Sequence, residues 1–135
     1  MAVSKSAVQV QWGGSNSVNV TAGNAQTSDV VALDATSFNA MVQLKATTGS
    51  PASGDKVDFY INYSAGDPDA NPDTADEYDS QTQGTWLAQL DCQANNPALT
   101  TVPINPSAKS YKLYAKSSAA TNTITVSAQM YESKA

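Results

Sequence analysis

Asp67, Asp69, Asn71 and Asp73 fall at alternate positions of one short stretch, a spacing at which extended or turning backbone can converge side-chain oxygens on a hard cation. Calcium takes six to eight oxygens at about 2.3 to 2.6 Å, so these four residues are the candidate metal ligands. The likeness to an EF-hand loop ends there, because Pro72 stands where the turning glycine belongs and Tyr78 where the bidentate glutamate belongs. The run from Asp67 to Asp79 holds half of the chain's twelve acids and no lysine. A solvated acidic loop kept open by repulsion is therefore the simpler account, and a weak calcium loop the sharper one. A second chemistry open to carboxylates is glycoside hydrolysis, which needs two of them about 5 to 9.5 Å apart. The sequence offers no way to select such a pair.

The missing residue types narrow the field further. There is no histidine, which excludes Ser-His-Asp and Cys-His catalysis and the commonest zinc sites. There is no arginine either; the seven cations are all lysines against twelve acids, a net charge of -5. Phosphate and guanine thus lack their bidentate partner, and the net charge repels nucleic acid and anionic membrane surfaces. The expectation is an enzyme-free reading with no cofactor, calcium being the exception, and with neither nucleic acid nor membrane as partner. The start, Met1 to Ser6, lacks the apolar stretch of a secretory signal, so production in a cytoplasm is expected. Cys92 lies on an alternating pattern without a cation nearby, and reads as a small buried hydrophobe.

What must position these groups is a set of strands. Apolar residues recur with period two at Phe38, Ala40, Val42, Leu44 and Ala46, and at Val57, Phe59, Ile61 and Tyr63. They recur again at Trp86, Ala88, Leu90 and Cys92, at Tyr111, Leu113 and Ala115, and at Ile124, Val126, Ala128 and Met130. Weaker strands are readable at Ala7 to Trp12, Ser17 to Val20, Asp29 to Leu33 and Leu99 to Ile104, separated by turn pairs such as Gly13-Gly14 and Gly54-Asp55. No sustained 3.6-residue repeat occurs. The class is all-β: one antiparallel β-sandwich or jelly-roll-like barrel of about eight or nine strands over residues 1–135, with little helix.

Residues 1–35 hold one aromatic, Trp12, and are either an edge hairpin or an N-terminal arm that packs on a neighbouring molecule. The arm reading makes Val8, Val10 and Trp12 candidate partner contacts. Tyr60, Tyr114 and Tyr131 lie opposite the apolar face of their strands and join that set, since tyrosine is enriched at interfaces. Exposed rings could instead stack on sugars, with Tyr78 as a further candidate; Trp86 shares its parity with Leu90 and Cys92 and reads as core. Lys109, Lys112 and Lys116 form a basic strip, read as protection of an edge strand, or as a complement to the acidic loop of another copy.

Lys56-Val57-Asp58-Phe59-Tyr60-Ile61-Asn62-Tyr63-Ser64, Gly66-Asp67-Pro68-Asp69, Trp86-Leu87-Ala88-Gln89-Leu90-Asp91 and Tyr111-Lys112-Leu113-Tyr114-Ala115-Lys116 together resemble the small β-rich virion proteins of tailed bacteriophages. The resemblance runs from about Phe38 to Tyr131 and is one of segment order and style, without a diagnostic motif. It implies a non-enzymatic protein that decorates or cements a phage head. The implied partners are the major capsid protein and copies of itself, as a homotrimer, and the implied location is the virion. The alternative is a carbohydrate-binding β-sandwich module of a phage receptor-binding assembly.

Overall fold

The computed structural model describes residues 2–65, 78 and 84–135. Among them there are ten strands and no helix: β1 (Ser4–Gln9), β2 (Val18–Val20), β3 (Ala25–Thr27), β4 (Val31–Ala32), β5 (Ser37–Thr47), β6 (Lys56–Ser64), β7 (Thr85–Asp91), β8 (Ala98–Ile104), β9 (Ser110–Ser117) and β10 (Ile124–Lys134). They form two antiparallel sheets, one ordered β1-β10-β5-β8 with β2 also on β10, the other β3-β9-β6-β7 with β4 also on β9. The all-β sandwich expected from period two is the fold observed, with ten strands where eight or nine were expected. The unanticipated strand, β3, reads Ala25-Gln26-Thr27 and has no apolar alternation to announce it.

The two sheets bury their period-two faces against each other. Val42, Leu44 and Ala46 of β5 and Val126, Ala128 and Met130 of β10 meet Val57, Phe59 and Ile61 of β6 and Tyr111, Leu113 and Ala115 of β9, all at most 3% exposed. Burying a large apolar side chain is worth about 1.5–3 kcal/mol, so these rows dominate the folding free energy. Turns tie the sheets at their rims. The buried Asp55 carboxylate accepts from Ala52 N at 2.9 Å and from Asn122 Nδ2 at 2.7 Å, joining the β5–β6 turn to the β9–β10 turn. The Asp34 carboxylate accepts from Thr36 N at 2.9 Å and Thr36 Oγ1 at 2.7 Å, and pairs with Lys134 Nζ at 3.3 Å. Those hydrogen bonds, the backbone one first, hold its pKa below the usual carboxylate range.

Two aromatic residues depart from the expected parity. Period two places both Phe38 and Trp86 on the core face, yet each is 55% exposed. Each sits at a one-residue irregularity in the pairing. On β7, Phe59 pairs with Ala88 but Tyr60 pairs with Trp86, so Leu87 is an extra residue. On β5, Ser133 pairs with Asn39 but Lys134 with Ser37, and Phe38 is skipped. A bulge of this kind inverts the parity of the residues beyond it, which turns the Trp86 ring to solvent.

The N-terminal thirty-five residues supply β1 and β2 on β10, and β3 and β4 on β9. Val10 is fully buried and Trp12 4% exposed, so neither can serve as the partner contact expected of them. The reason is the Gly13-Gly14 turn. With φ of 59° and 82° these glycines reverse the chain between Trp12 and Ser15, and their amides donate to the Asp29 carboxylate at 3.0 and 2.9 Å. The chain folds back and Trp12 is drawn into the core. The lysine strip also needs correction as an edge device. β9, which carries Lys112 and Lys116, has β6 on one side and β3 and β4 on the other, and is an interior strand.

Cys92 is buried, as expected. Desolvation, then the charges of Asp55 and Asp91, push its thiol up from the ordinary value. The thiolate is the reactive species, so native protein at pH 8 should resist a chromogenic disulfide reagent and release one equivalent of thiol only after denaturation. Fast stoichiometric reaction of the folded chain would contradict this burial.

Candidate functional site

The outer faces of the two sheets carry different side chains. On the β1-β10-β5-β8 sheet, Ala7 pairs with Tyr131, Tyr131 with Met41, and Met41 with Pro103. One apolar stripe therefore crosses four strands, about 15 Å at a spacing of 4.7–4.9 Å per strand. All four residues are exposed, Tyr131 at 39% and Met41 at 38%. A groove of about 480 Å³ runs beside the stripe, with Lys5, Asn39, Met41 and Tyr131 along it. Glutamines follow in the next row, where Gln9 pairs with Gln129 and Gln129 with Gln43.

On the β3-β9-β6-β7 sheet, Tyr60 pairs with Trp86 on one side and with Tyr114 on the other. The tyrosine rings meet edge to face, with centroids 6.0 Å apart and planes at 71°. The Trp86 indole Nε1 donates to Asp58 Oδ1 at 3.0 Å, and Gln89 Nε2 donates to the same oxygen at 3.3 Å. Asp58 itself pairs across the sheet with Lys116. At the far end the Lys112 ammonium stands 4.8 Å from the Tyr78 ring centroid, and the Tyr78 hydroxyl shares a hydrogen bond with Ser110 Oγ.

The structure thus divides the expected contacts between two faces and the core. Tyr131 lies on the apolar stripe; Tyr60 and Tyr114 share the ring row of the opposite sheet, half-buried. Val8 is 39% exposed on edge strand β1. Val10 and Trp12 are interior. The candidate cation ligands Asp67, Asp69, Asn71 and Asp73 lie outside the described residues. Among the described residues no group of three or more His, Cys, Asp or Glu side chains is placed to hold a metal ion. Trp86, Asp58 and Gln89 were missed as a group. The signal available was the run Trp86-Leu87-Ala88, three apolar residues in succession where strict alternation permits only two on one face.

No protein-family model matches the chain, and no curated protein matches it. Among solved structures it is similar to a chain from the acidic stable capsid structure of Helicobacter pylori bacteriophage KHP30, at 15% identity and TM-score 0.40, covering 96% of this chain and 93% of that one. It is also similar to the SPBc2 prophage-derived protein YomS, at 10% identity and TM-score 0.44, covering 97% and 96%. A third likeness, to BuGH86 in complex with neoagarooctaose, has 10% identity and TM-score 0.51 and covers 98% of this chain but 19% of that one. What this chain shares with that segment is its fold.

Proposed function

We propose that the chain is a non-enzymatic virion structural protein that seats on a phage head, binding the major capsid protein through the outer face of the β1-β10-β5-β8 sheet. The observation that carries this reading is the stripe Ala7, Tyr131, Met41 and Pro103, aligned in register across four strands. Tyrosine and methionine are enriched at protein interfaces, and the stripe lies beside a groove that a partner side chain can enter. The segment resemblance to small virion proteins agrees with it, and so does a chain without histidine or arginine. Copies of the chain are the second partner, in a homotrimer. Repetition on a lattice raises apparent affinity by about 10² to 10⁴, so one modest stripe suffices per copy.

Co-sedimentation with capsid shells lacking the protein tests the reading. Wild type is expected to saturate at a number of copies commensurate with the lattice. Replacing both exposed residues, Tyr131→Asp with Met41→Asp, is expected to weaken binding about tenfold or more while leaving the melting temperature nearly unchanged. Absence of saturation at micromolar protein, or unaltered binding by the double variant, would sink it.

A further inference from the structure

The ring row on the opposite sheet is not used by capsid docking through the apolar stripe. We propose that it is a binding site for a neutral saccharide, with the open face of the Trp86 indole as stacking platform and Asp58 and Gln89 as hydroxyl partners. A sugar ring presents C–H groups on its face and hydroxyls around its rim. Its complement is a flat electron-rich surface with donors and acceptors within one strand's spacing. Trp86 is 55% exposed and tied by its Nε1 to Asp58 on the adjacent strand, so the indole is held over the sheet with ring surface toward solvent. Little rotamer freedom is then lost when a ligand stacks on it.

The flanking row supplies the polar half. Asp58 accepts from Trp86 Nε1 at Oδ1 and from Gln89 Nε2 at both oxygens, and a carboxylate has about four lone-pair sites, so acceptor capacity remains for a ligand hydroxyl. Gln89 contributes an amide oxygen, and Lys116, the cross-strand partner of Asp58, contributes donors. One carboxylate beside one ammonium leaves the flank near charge balance. That favours a neutral sugar over an acidic one. A protein partner is a poorer match, because the row is three rings ended by Thr27 on β3, with no long aliphatic side chain to interdigitate, and polar residues border it on both sides. Asn62 and Lys112 form the border opposite Asp58. The two faces belong to different sheets, so this site stands or falls apart from capsid binding.

The experiment uses the full chain with cellohexaose, mannohexaose and N-acetylchitohexaose as probes. Of the two tryptophans, Trp12 is 4% exposed, so acrylamide quenching reports Trp86. At least one probe at millimolar concentration should protect that emission saturably. By calorimetry Trp86→Ala should then bind about tenfold more weakly or worse, with Trp86→Phe between the two. Asp58→Asn should also weaken binding while the melting temperature of each variant stays near wild type. No protection by any of the three probes, equal affinity of Trp86→Ala, or loss of capsid binding in Trp86→Ala without saccharide binding in wild type would each overturn the proposal.

Discussion

Trp12→Ala is expected to destabilise the chain by about 3–5 kcal/mol, the range for emptying a buried aromatic site. Total stability of a domain this size is about 5–15 kcal/mol, so the variant should unfold at a much lower urea midpoint and be partly unfolded at 37 °C. The basis is placement: Trp12 is 4% exposed within the core cluster, held there by the glycine turn that follows it. Its Nε1 is buried without a partner among the described residues, so Trp12→Phe should recover most of the loss by removing that unmet donor. Val8→Ala, on the exposed edge strand, should change stability by less than about 1 kcal/mol. If Trp12→Ala and Val8→Ala proved equally mild in denaturant titrations, the N-terminal segment would be a detachable arm and its place in the core would be wrong.

Gly84→Ala carries the second large effect, about 2–4 kcal/mol. Gly84 has φ of 90°, a region that disfavours any side chain, and an ideal Cβ there would stand 2.1 Å from Ile61 O and 2.6 Å from Ile61 C. Those are backbone atoms of a central strand and cannot swing aside. The neighbouring pair, Ile61 with Thr85, lies one step before the bulge that turns Trp86 outward. The variant should therefore lose stability and also shift the quenchable fraction of tryptophan emission. Gly49→Ala is the control, since nothing lies within 4 Å of its Cβ and no positive φ is required; a change within about 0.5 kcal/mol is expected. Equal unfolding midpoints for the two variants would show that the close approach at Gly84 is absent.

The strands were legible where apolar and polar residues alternate without interruption, because each alternate side chain must go to the same face. Val57-Asp58-Phe59-Tyr60-Ile61 and Ile124-Thr125-Val126-Ser127-Ala128 are such runs, and their inward residues are the core. Phe38 and Trp86 were misread because parity is a local count, and one extra residue in the pairing inverts it. Pairing belongs to two strands, and neither strand's sequence alone records it. Trp12 was misread for a related reason. Its segment is poor in large side chains, but burial there depends on a turn and on Asp29, seventeen residues away. The candidate site was largely legible: Asp58, Tyr60 and Gln89 had the right face from alternation, while their neighbour Trp86 needed the register.

The place of β10 bears on how the chain is made. Residues 124–134 form an interior strand of the first sheet, paired with β5 on one side and with β1 and β2 on the other. Until that segment leaves the ribosome, β1 and β2 have no strand to pair with, and β5 keeps one edge open. Strands β1 and β2 therefore wait while the more than one hundred residues between Val20 and Ile124 are made. Such long-range pairing is slow and leaves strand edges exposed to other nascent chains. Pairing under these terms depends on closure following quickly once β10 has emerged. Polar, lysine-bearing β1 and the shortness of β2 and β3, three residues each, suit an early segment that must stay soluble while it waits.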